Sequence, residues 1–141
     1  MQASPKARKA LLDFYDAFSE ASPGDTELFD RSFSGHDELL VIGTAFHEWV
    51  DDRERGKQAW GTEGVILEAG DPVAWEDGDV AWAADRPVFV VGAMRAPIRL
   101  TVVMLREGEA WKIQHGHFSI GVPDELGFAN AAEWSTLGPA H

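Results

Sequence analysis

Two histidines separated by one residue, His115 and His117, lie in the stretch Trp111-Lys-Ile-Gln-His-Gly-His-Phe-Ser-Ile-Gly121. Imidazole titrates near neutral pH, so such a pair suits general acid–base work. On one face of a strand it can also present two nitrogens to a single metal. A metal site needs a third ligand. Ile120, Gly121 and Val122 stand a few residues on, where a glutamate would be wanted, and Glu125 comes too late. His47-Glu48 lacks the second histidine of a zinc-protease helix, since Asp51 holds that position. No metal is therefore expected. The competing role for both histidines is structural, hydrogen-bonded at a buried interface.

Proton transfer by carboxylates would need a pocket acid as base and an acidic hydroxyl or carboxyl as oxyanion donor. Asp85, next to Arg86, is the polar candidate for the first task, with an exposed ion pair as its competing fate. Tyr15 is the only tyrosine. The candidate catalytic groups are thus His115, His117 and Asp85, and none of them calls for an organic cofactor.

The chain that must position these groups has 141 residues, enough for one domain. It is 45% apolar with six Trp and eight Phe, far from the composition of a disordered chain. It has no cysteine, which excludes disulfides, thiolate ligands and cysteine nucleophiles together. The net charge of −12, with scattered basic residues, opposes binding to nucleic acid. No apolar run reaches the roughly 18 residues of a membrane span, and the N-terminus lacks the pattern of a secretory signal. The expectation is a cytoplasmic protein with no membrane or nucleic-acid partner.

Ser4 and Pro5 mark a helix start, and Ala7, Leu11, Phe14 and Phe18 form one apolar stripe up to about Ala21. Asp25 or Thr26 caps a short second helix carrying Leu28, Phe29 and Phe33. Glu38 to Gly43 reads as a buried strand. A third helix is expected from about Gly56 into Ala69, although Gly61 and Gly64 interrupt it. From Pro72 the pattern turns to strands, Val73–Trp75, Val80–Val91, Ile98–Leu105 and Trp111–Ile120. Asp77-Gly78 and Glu107-Gly108 provide the hairpin turns, and Pro87 falls within the second strand. Residues 123–139 read as a final helix and tail, with Phe128 and Trp134 as anchors. The sum is an α+β layout with helices covering one face of a curved antiparallel sheet.

This element order resembles the superfamily of nuclear transport factor 2-like and ketosteroid isomerase-like proteins, and within it the SnoaL-like group. Two stretches carry the resemblance: Ile42-Gly43-Thr44 followed by Glu48-Trp49 and Gly56, and Trp111 to Ser119 leading to Gly121-Val-Pro123. The second is also similar to the closing strand of the association domain of calcium/calmodulin-dependent kinase II. The resemblance implies one domain over residues 1–141, with its core at about 5–125 and a tail at 126–141. It implies a cone-shaped, strongly curved antiparallel sheet wrapped around N-terminal helices, an internal pocket, and a homodimer packed through the sheet's outer face.

Strict alternation along the last strand separates Trp111, Ile113, His115, His117 and Ser119 from Lys112, Gln114, Gly116 and Phe118. The resemblance turns the second set to the cavity and the first to a dimer partner, together with Arg99 and Thr101. The cavity would then be lined by Trp82, Ala84, Arg86, Leu100, Val102, Met104, Gln114 and Phe118, with Phe14, Phe18 and Trp60 from the helices. Such an aromatic lining suits a small hydrophobic molecule. Members of the superfamily include isomerases, cyclases and dehydratases working without cofactors, and also non-catalytic binding or assembly domains. Both classes of function remain open at this point.

Overall fold

Ser4 opens the first helix as expected. Its Oγ accepts the Ala7 N–H at 3.1 Å, and Pro5 fills the first helical position, where a missing N–H costs nothing. The computed structural model describes residues 1–61 and 63–129. The expected anchor Trp134 lies outside the described residues, and so does the side chain of Phe128. A two-residue strand, β1 (Gln2–Ala3), precedes the helix, α1 (Pro5–Glu20), which buries Ala7, Leu11, Phe14, Tyr15 and Ala17. Ser4 also donates to Glu76 at 2.7 Å, tying the start of α1 to the sheet.

Asp25 caps α2 (Thr26–Ser32) through the Leu28 N–H at 3.2 Å, and Asp52 caps α3 (Arg53–Ala59) through the Arg55 N–H at 2.8 Å. Asp30 of α2 meets Arg53 and Lys57 of α3, the latter at 3.2 Å. The Arg53 hydrogen bond, with help from Lys57, holds the Asp30 carboxyl below its ordinary range.

The expected third helix to Ala69 is corrected: it ends at Ala59. Gly61 (φ +94°) and Gly64 (φ +79°) turn the chain through left-handed backbone, and Val65–Glu68 forms β4. A Cβ on Gly61 would lie 2.1 Å from the Ser22 carbonyl oxygen, so two backbone segments meet where only glycine fits. Beyond that turn the β-branched Val65 and Ile66 favour an extended chain.

The remaining strands are β2 (Leu40–Ile42), β3 (Trp49–Val50), β5 (Val73–Asp77), β6 (Val80–Asp85), β7 (Val88–Val91), β8 (Met94–Pro97), β9 (Arg99–Glu107) and β10 (Ala110–Ser119), and α4 (Asp124–Ala129) follows. Residues Val80–Val91, expected as one strand, are two strands in different sheets with Pro87 at the crossing. One sheet has the order β1-β5-β6-β9-β10-β2-β3, and the other β4-β7-β8. The large sheet is mixed rather than purely antiparallel, because β2 runs parallel to β10.

Helix α1 touches β4 of the small sheet and β5, β6 and β10 of the large one, so the two sheets wrap it into an α+β cone. Close approach is possible because the inner faces of β5 and β6 carry Ala74, Ala81 and Ala83, all buried. Leu100, Val102 and Met104 of β9 complete this packed end of the core.

Candidate functional site

At the other end of α1 the helices and strands leave a cavity of about 260 Å³. Phe14 and Phe18 reach it from α1, Phe29 and Phe33 from α2 and its C-cap, and Trp60 from the C-cap of α3. Val41, Phe89 and Phe118 enter from β2, β7 and β10. Trp60 is the hub of these rings: its centroid lies 5.5–6.1 Å from those of Phe14, Phe18, Phe29 and Phe33. The aromatic residues that give the helices their apolar stripes therefore also build the wall.

The polar part of the wall is the β2–β3 loop, where Thr44 and Glu48 are exposed at the mouth. Glu48 closes this loop on itself. Its carbonyl accepts the Gly43 N–H at 2.8 Å, and its carboxylate accepts the Ala45 N–H at 3.1 Å. A Cβ on Gly43 would lie 2.1 Å from Glu48 Oε2, so the carboxylate can fold over residue 43 only because that residue is glycine. Among the described residues, Glu48 is the ionisable group of this wall.

Of the residues expected in the cavity, Phe14, Phe18, Trp60 and Phe118 line it, and the others do not. Leu100, Val102 and Met104 are packed into the core. Trp82 and Arg86 are exposed, and Trp82 stacks on Trp75 at 4.2 Å on the sheet's outer face. Gln114 interrupts the ladder as a β-bulge between Ile113 and His115. Its amide accepts from the Ser34 hydroxyl and donates to the Glu38 carbonyl, fixing the segment that leads into β2. Lys112 binds the Asp30 and Arg31 carbonyls at the end of α2.

The bulge breaks the expected alternation. Before it, Trp111 and Ile113 are buried with the core, so the assignment of Trp111 to the outer face is corrected. After it, Gly116 and Phe118 take over the inner face, and His115 and His117 fall outside. His115 pairs with Val103, which pairs with Trp82 and, through it, with Trp75. His117 sits opposite Thr101 and Ile42, and Arg99 binds Ser119 at 3.2 Å. His115 Nδ1 lies 2.9 Å from the Leu40 carbonyl oxygen, which can only accept, so this nitrogen carries the proton. Neither histidine touches the cavity.

Asp85 is buried rather than in an exposed ion pair. It accepts three hydrogen bonds, from the Tyr15 hydroxyl (2.8 Å), the Gly70 N–H (3.0 Å) and the Arg86 N–H (2.7 Å). The carboxylate thus locks α1 to the β4–β5 connection and does not line the cavity. Burial, then the hydrogen bond and charge of Asp85, push the Tyr15 phenol far above its ordinary value of 10.0.

The unfolded chain would release the Tyr15 proton near pH 10 while the folded chain keeps it. Stability is therefore intact below that pH and falls as pH rises beyond it. Because Tyr15 is the sole tyrosine, phenolate absorbance reports on it alone. In an alkaline titration the phenolate signal is expected to appear together with loss of far-ultraviolet circular dichroism. A phenolate forming while the fold persists would contradict this burial.

Sequence reasoning missed Glu48 and Thr44 at the mouth, and Val41 and Phe89 in the wall, and it read Phe29 and Phe33 only as the inward face of the second helix. Glu48 stood in the stretch that carried the resemblance, and its spacing from Gly43 is the signal for the loop clasp. Phe89 was hidden by the single-strand reading across Pro87. Among the described residues no group of three or more His, Cys, Asp or Glu is arranged to hold a metal ion, and no helix is long and apolar enough to cross a membrane.

A family model described as SnoaL-like domain matches residues 7–123. Similar solved structures include a nuclear transport factor 2-like protein of unknown function from Pseudomonas putida, with 17% identity, 85% of this chain and 87% of that one covered, and a TM-score of 0.69. A candidate dehydratase of the same family from Streptomyces avermitilis has 17% identity, covers 84% of this chain and 95% of its own, and gives a TM-score of 0.68. A nuclear transport factor 2-like superfamily protein from Salmonella enterica has 15% identity, with 83% and 89% covered and a TM-score of 0.69. At these identities the likeness is one of fold. No curated protein matches the chain.

Proposed function

The chain belongs to the SnoaL-like domain family, and from that premise we propose that its cavity binds a small, flat, hydrophobic molecule. We further propose cofactor-free proton-transfer chemistry of the isomerase, cyclase or dehydratase type, with Glu48 as the base. The observation that carries this reading is the cavity of about 260 Å³ walled by aromatic rings with one carboxylate at its mouth. That volume lies just below the roughly 300–1,000 Å³ of drug-sized ligand sites, which points to one or two fused rings. A dehydratase candidate among the similar folds is compatible with such chemistry. A second reading, a binding or assembly module without chemistry, is favoured by the distance of His115, His117 and Asp85 from the cavity wall.

2-Tetralone separates the two readings, because it is flat, apolar and carries an acidic C–H next to its carbonyl. Tryptophan quenching should report its binding, and the protein should accelerate exchange of that hydrogen for solvent deuterium. Glu48→Gln should retain binding and lose the acceleration, since an amide oxygen can still accept from Ala45 but cannot take a proton. Binding with background exchange in the parent protein would leave the second reading. No binding would remove both small-molecule readings, catalytic and non-catalytic, and leave assembly alone.

The outer face of the large sheet exposes Val73, Val80 and Trp82 beside the two histidines. We propose that it packs against a second copy to form a homodimer, in which Arg99, Thr101, His115 and His117 are interface residues. Trp82→Asp is expected to shift sedimentation toward the monomer by at least tenfold in dissociation constant. An unchanged profile at low concentration would count against this surface.

A further inference from the structure

On the outer face of the large sheet the two histidines sit among neutral side chains. The cross-strand neighbours of His115 are Leu40 and Val103, with Trp82 beyond Val103. Those of His117 are Ile42 and Thr101, with Ala84 beyond Thr101. None of these neighbours titrates. Charged groups stand at the margins of the face. Arg99 lies opposite Ser119, Arg86 follows β6, and Lys112, before the bulge, is held by the carbonyls of Asp30 and Arg31. Asp77 ends β5, three strands away from β10. Asp71 is bound by Arg8 at 3.1 Å, and Asp51, next to β3, by Arg55 at 2.9 Å. Glu38 precedes β2, and Asp124 and Glu125 open α4. Among the described residues neither histidine forms an ion pair with a carboxylate.

We propose that this face is a pH-sensitive switch: the homodimer holds while His115 and His117 are neutral and separates when they gain protons. The switch rests on the homodimer reading above and names its regulation. A two-fold interface is built from the same patch on both subunits, so it encloses four imidazoles, and the partner brings no carboxylate that this face does not already carry at its margin. Neutral imidazoles suit such a place. His115 Nδ1–H already donates to the Leu40 carbonyl, which leaves Nε2 to take the added proton. The resulting imidazolium, shut in beside Val103 and Trp82, has lost water without gaining a counter-ion. Arg99, on the same face, adds a like charge. Separation returns the charged rings to solvent.

The sign is opposite to that of the background. Acidification reduces the net charge of −12 and with it the repulsion between copies, which by itself tightens a dimer. The histidines act the other way, because the separated copies bind more protons, and the dissociation constant therefore rises as pH falls. An ordinary imidazole is half protonated near pH 6.5, and each one that an interface keeps neutral weakens association about tenfold at about pH 5.5.

Sedimentation of the full chain at about pH 7.5 and about pH 5.5 tests the switch, with far-ultraviolet circular dichroism to follow the fold. The dissociation constant of the parent protein should rise at least tenfold on acidification with the fold intact, and that of His115→Gln/His117→Gln should stay level or fall. A parent dimer that is equally tight or tighter at the lower pH overturns the switch and leaves the dimer standing. An equal rise in the double variant overturns it as well, since other groups would then carry the effect. A parent chain that is monomeric at the higher pH removes the homodimer reading and the switch with it.

Should the double variant fail to fold or associate, the histidine ring-proton resonances of the parent decide the matter. Above the dissociation constant both histidines should protonate at lower pH than in protein diluted below it. Identical midpoints at the two concentrations would overturn the switch.

Discussion

Asp85→Ala is expected to destabilise the protein by about 3–5 kcal/mol, because it strands three donors that now converge on one carboxylate. Tyr15 Oη, Gly70 N and Arg86 N all lie within 3.0 Å of its oxygens. Each buried donor left without an acceptor costs roughly 1–3 kcal/mol, and partial entry of water limits the sum. Asp85→Asn should cost less, about 1–3 kcal/mol. Its amide oxygen can keep the Tyr15 and Gly70 bonds, so that only the Arg86 contact is lost. Denaturant unfolding of the two variants measures both values. A fully stable Asp85→Ala protein would show that the carboxylate is not structural and return it to the candidates for chemistry.

Trp60→Ala should be comparably severe, about 3–5 kcal/mol, the usual range for removing a large buried aromatic side chain. Four phenylalanine rings lean on this indole from α1, from α2 and from the C-cap of α2. Gly61, the next residue, presses its backbone against Ser22, so the wall cannot readily collapse into the space. The same variant should lose affinity for 2-tetralone, because the loss falls on the wall and not on a remote part of the core. Retention of both stability and binding would mean that the ring cluster neither supports the fold nor forms the site.

These two residues show how differently fold and site could be read from sequence. Helix starts at Ser4 and Asp25 and hairpins at Gly78 and Gly108 are local signals, and the structure carries them out locally. With the order of elements they were enough for the α+β cone. Side-chain direction was a harder matter, since it depends on phase along each strand. One extra residue at Gln114 reversed the faces of β10 and moved Trp111 inward.

On β6 the alternation itself was sound, but the inner face belonged to Ala81, Ala83 and Asp85 and not to Trp82. A tryptophan is ordinarily the better guess for burial. Here the alanines win because α1 comes close enough that only small residues fit beneath it. The partnership of Tyr15 with Asp85, 70 positions apart in the chain, has no local signal.

The cavity is central to the account, and crystals soaked with 2-bromonaphthalene test it most directly, because bromine can be located by its anomalous scattering. The prediction is a single strong bromine peak enclosed by Phe14, Phe33, Trp60 and Phe118. Bromine found only on the outer face, against Trp75 and Trp82, or no peak at all, would contradict it.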